Sequence, residues 1–405
     1  MKVNRPRILI AVLAAASMLA ATIVSAPPSL AKADQPVITT WVSGLNTPRG
    51  ITFDGNGNLY VSESGKAGPG PVGLTHTGKV SKYPRGSRTA SWSTSFESLY
   101  ATEDPTQPPD VLGPEGLSAL GNSCSSKENE RADSRDGTRA CQIRLITSES
   151  HDGVLAMTKG AVSTKQAGRL YSLNPRTGKP KNLSNVGDQQ YDWTGDHKAL
   201  FPSDFPDSNP YGVLILKDHW THMVRTFVAD AGANTILEIM GNGTARVVSY
   251  IPNETAAPFR DSTPTCIAQG PDGMLYVATL NFVANLFVYH SGKSNVWRVD
   301  PNANYPTKPK LWATGLTTAT ACTFDRSGNF WATEMFQPNP SGPPGDVVRI
   351  PFKHPKTLDR FGGGMLPLPG GIAQAPDGSM YVSINSASPV PGSGAVVKLR
   401  FHSDD

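Results

Sequence analysis

The sequence predicts an all-β fold, a six-bladed β-propeller of four-stranded blades, on three observations. A short phrase returns along nearly the whole chain, each copy reads as a β-hairpin, and a second pair of strand-like runs follows each hairpin. The best copies are Pro48-Arg-Gly-Ile-Thr-Phe-Asp-Gly-Asn-Gly-Asn-Leu-Tyr-Val-Ser62 and Pro369-Gly-Gly-Ile-Ala-Gln-Ala-Pro-Asp-Gly-Ser-Met-Tyr-Val-Ser383. An apolar run, an Asp/Asn-Gly turn and an aromatic or β-branched run make a hairpin, because the glycine supplies the positive φ of a tight turn. One hairpin unit cannot bury both of its faces, so the copies must pack on one another.

The chain begins with a processing segment. Lys2, Arg5 and Arg7 precede an apolar run from Ile8 to Val24, and Ala31-Lys32-Ala33 fits a small-x-small cleavage rule. Residues 1–33 are therefore expected to be a signal peptide, leaving residues 34–405 as one propeller in a secreted or extracytoplasmic setting. Removing the four cations of residues 1–33, which carry no acid, takes the formal charge from +4 to zero. Without net charge, or a basic run interleaved with aromatics, neither nucleic acid nor an anionic membrane has an electrostatic reason to bind the mature chain.

Units start near Pro48, Pro114, Pro210, Pro264, Ala319 and Pro369. In the fourth, Gly273 and Tyr276 keep the places of Gly57 and Tyr60; in the fifth, Trp331 takes the tyrosine place. The second pair in each unit opens on a run of strand-type alternation, such as Gly78–Tyr83, Ser294–Val299 and Gly394–Phe401. No segment shows sustained helical periodicity. The last unit lacks an outer strand, and Val37-Ile-Thr-Thr-Trp-Val42 is predicted to supply it, closing the ring and removing an open edge.

Two insertions interrupt the order. The first, Gly121 to Gly153, is charged and is expected to be a solvated loop tied by a Cys124–Cys141 disulfide. Cys266 and Cys322 fall in the first strands of successive units, where a bridge and two separate buried thiols both fit. The second insertion, Asn185 to Asn209, gathers Tyr191, Trp193 and Phe205 near Tyr211, beside Asp192, Asp196, Asp207 and Asn209. Tyr191, Trp193, Asp207, Asn209 and Tyr211 are the candidate ligand-binding set; the other reading is a loop that uses its aromatics to pin itself to the blades.

An acid stands just after the second strand of three units: Glu63, Asp230 and Glu334. Equivalent positions in a propeller lie in a ring, so these oxygens, with Asn209 or Asn385 as neutral donors, form a candidate site for Ca²⁺ or another divalent metal. The competing reading is that each acid accepts backbone N–H bonds at its own strand end. His219 and His222 are spaced i, i+3, which on a strand or turn does not place both rings on one face. No G-x-S-x-G elbow is present, and Gly55-Asn-Gly-Asn-Leu-Tyr is a turn, not a phosphate cradle.

The composite of Gly44-Leu-Asn-Thr-Pro-Arg-Gly50, Leu59-Tyr-Val-Ser-Glu-Ser-Gly65, Asp207-Ser-Asn-Pro-Tyr-Gly212 and Val228-Ala-Asp-Ala-Gly232 resembles the ScyD/ScyE family. The resemblance implies an exported six-bladed propeller related in pattern to NHL-repeat and SMP-30-like proteins, and it brings no catalytic residues with it. Two functions of different class are consistent with the residues. One is a monomeric binding or scaffold propeller for a small molecule or an extracytoplasmic protein. The other is a metal-dependent hydrolase of a lactone or ester, similar to SMP-30 and gluconolactonase, using Glu63, Asp230 and Glu334.

Overall fold

Glycine turns set the fold's rhythm. In the computed structural model, which describes residues 35–102, 106–120, 141–200, 206–218, 223–253, 261–289, 292–338 and 344–401, Gly57, Gly273, Gly328 and Gly378 all take positive φ at hairpin tips. The turn is locked by its aspartate: Asp54 accepts the Asn56 and Asn58 N–H groups and the Tyr60 hydroxyl at 2.9 to 3.0 Å. Trp331 replaces tyrosine without loss of this bond, its indole Nε1 donating to Asp325 at 2.7 Å.

Among the described residues the strands form six antiparallel sheets, five of them four-stranded. The first sheet departs from the expected four, since a short fifth strand, Asp110–Leu112, pairs outside Trp92–Ala101. Innermost strands run Pro48–Phe53, Pro114–Leu120, Pro210–Lys217, Pro264–Gln269, Ala319–Phe324 and Ile372–Gln374. Each packs on the next, and Pro48–Phe53 also packs on Ile372–Gln374, so the series closes. The last sheet takes its outer strand from the chain's beginning: Val37–Leu45 pairs antiparallel with Gly394–Arg400. This is the arrangement of a β-propeller.

Strand alternation explains why every sheet is buried on both faces. In Phe330–Glu334, Phe330 and Ala332 join the apolar cluster shared with the preceding sheet, while Trp331 joins the cluster shared with the following one. Leu275 and Val277 likewise face one seam and Tyr276 and Ala278 the other. An apolar cluster fills each seam, including the closing one, where Val42, Leu59 and Val61 meet Tyr381 and Val396.

Two helices correct the expectation of an all-strand chain. Part of the first insertion forms the helix His151–Met157, its N-terminus capped by the Ser150 hydroxyl accepting the Gly153 N–H. The second insertion contains the helix Val186–Asp196. Its buried face is Val186, Gln190 and Thr194, a helical i, i+4 row whose lower members are polar. Gln190 bonds Thr235 and Thr194 bonds the Asp207 backbone, so hydrogen bonds do the work that an apolar stripe would have advertised. Residues 1–34, Cys124, Phe205, His219 and His222 lie outside the described residues.

Cysteines 266 and 322 are joined, with Cα atoms 5.6 Å apart, linking two successive innermost strands. Among the described residues no helix is long and apolar enough to cross a membrane.

Candidate functional site: the axial cavity

The innermost strands place a column of equivalent residues around the axis. The second position of each unit reads Arg49, Glu115, Tyr211, Thr265, Thr320 and Gly370. The first five line two cavities at once, one on one side of the ring and one on the other, which Gly370 also lines. They therefore form a septum across the axial channel.

Close approach of the strands holds the septum tight. A Cβ on Gly116 would stand 2.5 Å from the Tyr211 carbonyl oxygen, and one on Gly50 would stand 2.8 Å from the Leu117 nitrogen, so only glycine fits at these seams. Hydroxyls stitch the ring between sheets: Ser62 donates to the Glu115 carbonyl at 2.5 Å, Ser383 to the Arg49 carbonyl at 2.8 Å, and Thr265 to the Ala319 carbonyl at 2.8 Å.

The charged part of the septum is buried. Arg49 donates from Nε to Ser64 Oγ and from Nη2 to the Val111 carbonyl, each at 3.3 Å, and its Nε lies 3.6 Å from Glu115 Oε2. Ser64 donates to Glu115 Oε1 at 3.2 Å, whereas Glu115 Oε2 accepts no hydrogen bond. Burial pushes the Glu115 carboxyl up to about 7, against the pull of Arg49 and the serine hydroxyls. Burial likewise pushes Asp110, whose Oδ2 is also without a hydrogen bond, up to about 8, with Arg49 opposing. Tyr211 rises to about 12 through desolvation. For Arg49, burial works against the cation, yet Glu115, Tyr211 and Asp110 outweigh it and its pKa is raised.

Above the septum the first of these cavities is walled by Leu112, Ala231, Leu280, Phe282, Val283 and Met335, with Asn209, Asp261 and Thr263 as polar members. Two residues of the sequence-derived ligand set, Asn209 and Tyr211, line it. The others do not: Tyr191 and Trp193 sit on the helix Val186–Asp196, where Trp193 stacks on His197 with ring centroids 4.2 Å apart, and the Asp207 backbone is bonded to Thr194. Sequence reading missed Arg49 and Glu115. The repeat alignment carries the signal, a charged residue directly after the unit's opening proline in two copies.

Those strand-end acids are fully buried, and each is engaged within its own sheet. Glu63 accepts the Asn46 N–H at 2.8 Å and pairs with Lys79 at 2.9 Å. Asp230 accepts Ser208 Oγ and the N–H groups of Asn209, Gly232 and Ala233 at 2.7 to 3.1 Å; burial pushes its carboxyl up while these four donors hold it down. Glu334 accepts the Thr317 N–H at 2.6 Å and pairs with Arg360; burial and the adjacent Asp346 push it well above the usual carboxylate range. Asn385 donates to the Ser393 carbonyl at 2.8 Å. Register explains the common pattern, since Glu63 pairs with Pro48, Asp230 with Pro210 and Glu334 with Ala319, so each acid clasps the backbone that enters an innermost strand. Among the described residues no three His, Cys, Asp or Glu side chains are gathered as a metal site.

No protein-family model matches the chain, and no curated protein matches it. Solved structures similar to it include the PQQ-bound aldose sugar dehydrogenase of Streptomyces coelicolor, 12% identical with a TM-score of 0.48, covering 93% of this chain and 99% of that one. The calcium-binding protein regucalcin of Agrobacterium tumefaciens is 13% identical with a TM-score of 0.45, covering 88% and 90%. A streptogramin B lyase is 13% identical with a TM-score of 0.44, covering 91% and 98%. The propeller class itself rests on the sheets and seams described above.

Proposed function

We propose that this chain is an exported six-bladed propeller that binds a small molecule in its axial cavity. The supporting observation is the axial cavity, apolar in its walls and floored by the Arg49, Glu115 and Tyr211 septum. Ligand sites are concave and mostly apolar, with a few fixed polar groups that set orientation, and this cavity has that composition. The ScyD/ScyE resemblance in Gly44–Gly50 and Asp207–Gly212 is in keeping with the reading, because those two segments carry Arg49 and the Asn209–Tyr211 pair to the cavity.

The test uses Ala231, which lines the cavity and is 1% exposed. Saturation-transfer NMR with a mixture of mono- and bicyclic apolar compounds is expected to show binding to the native chain. The Ala231→Trp variant, in which the indole fills the cavity, is expected to lose it while keeping its far-UV spectrum. Undiminished binding to the filled variant, or none to the native chain, refutes the assignment.

A further inference from the structure

The floor of the cavity carries one cation and one carboxyl, Arg49 and Glu115. There the Arg49 guanidinium lies 3.6 Å from the Glu115 carboxyl, whose Oε2 is buried and accepts no hydrogen bond. Arg49 is meanwhile occupied by Ser64, the Val111 carbonyl and Glu115. A buried acceptor without a donor is an unfilled requirement, because desolvation has been incurred and no hydrogen bond returns it. A donor brought by a ligand fills it. With Glu115 ionised, an anion does the reverse, adding negative charge beside a carboxylate whose cation is already engaged.

Resting on the binding function proposed above, we propose that the cavity selects neutral or cationic small molecules with a flat apolar body and a terminal hydrogen-bond donor, a hydroxyl or an amine, presented to Glu115, and that it rejects carboxylates, sulfonates and phosphates of the same shape. The apolar body lies against Leu112, Leu280, Phe282 and Met335. The donor reaches the septum, where the Tyr211 hydroxyl provides a second polar contact. Selectivity of this kind is steep, since a site built to receive a donor is left with an orphaned acceptor when the donor is missing.

Four compounds that share one ring system test it: 2-naphthol, 2-naphthylmethylamine, 2-methoxynaphthalene and 2-naphthoate, titrated by calorimetry into the full mature chain at pH 8, where Glu115 is ionised. The naphthol and the amine are expected to bind best, the methoxy compound about tenfold more weakly for want of a donor, and the naphthoate more weakly still. In Glu115→Gln the amine's advantage over the naphthoate is expected to collapse by about tenfold, the removed charge being the discriminating group. The native series decides the matter even if that variant does not fold. Preferential binding of the naphthoate, making Arg49 the anchor, overturns the donor selectivity and leaves the binding function standing. Equal binding of all four does the same. Failure of all four to bind, together with an Ala231→Trp variant that changes nothing in the fragment experiment, removes the binding function and the selectivity with it.

Discussion

Glu115 is the residue whose titration most directly reports whether the septum is built as described. Its side chain is fully buried and one oxygen lacks a hydrogen bond, so between pH 4.5 and about 7 the folded chain holds a proton there that the unfolded chain releases. The carboxyl titrates at about 7 folded against the ordinary 4.5. The stability linked to that proton is complete below the unfolded value and is lost as pH rises through the folded one. A gap of this size corresponds to about 3 kcal/mol, on the order of 4 °C in Tm for a chain of this length. Glu115→Gln keeps the shape and removes the titration. The stability of the native chain relative to the variant is therefore expected to fall by about 3 kcal/mol between pH 4.5 and 8. Asp230, Glu334 and Asp346 are also pushed up, but they are present in both proteins and cancel in the difference. Asp110 does not cancel: with Glu115 neutral, Arg49 is left to Asp110, which stabilises the variant at high pH and adds to the effect in the same direction. Scanning calorimetry of both proteins at half-unit pH steps measures it. Parallel Tm curves, or a variant that weakens relative to the native chain as pH rises, would refute the argument.

Two further outcomes follow from the scaffold. Reducing or replacing the Cys266–Cys322 bridge, which spans 56 residues and ties two innermost strands, is expected to cost about 4 kcal/mol by the chain-entropy relation, read as a lowered urea midpoint for Cys266→Ala/Cys322→Ala; an unchanged midpoint counts against it. Asp230→Ala strips the acceptor from three backbone N–H groups and the Ser208 hydroxyl and is expected to cost about 3 kcal/mol or more, with Asp230→Asn recovering part of the loss, whereas a near-neutral Asp230→Ala would sink the clasp role.

Much of the architecture was legible because propeller strands carry their signal locally. The Asp-Gly turns, the alternation in runs such as Ser294–Val299, and the unpaired last unit that Val37–Leu45 completes all lie within a few residues of one another or at the chain ends. The helix Val186–Asp196 was hidden because its buried row ends in Gln190 and Thr194, which hydropathy counts as solvent-facing. The bridge stayed open at the sequence level since nothing near Cys266 or Cys322 states which unit packs against which. The acids at strand ends share one place in the repeat, and the register that pairs Glu63 with Pro48 gives each of them a local partner in the chain entering its own sheet.

The site was harder to see because its members are neighbours only after the ring closes. Arg49 and Glu115 belong to different sheets, and each alone is an ordinary charged residue after a proline. Aligned by unit, however, the columns separate by task. The second position, Arg49, Glu115, Tyr211, Thr265 and Thr320, lines the axis, and the third, Gly50, Gly116, Gly212, Cys266, Ala321 and Gly371, sets the seam. The seam column departs from glycine at Cys266 and Ala321, and at Cys266 the chain supplies a covalent link to the next innermost strand in place of close backbone approach. Variation at the third position is thus absorbed by the scaffold, while variation at the second changes what the cavity meets. The charge that this column concentrates in two of its members, opposite small neutral threonines, makes the septum polar on one side, and ligand orientation in the cavity follows from that asymmetry.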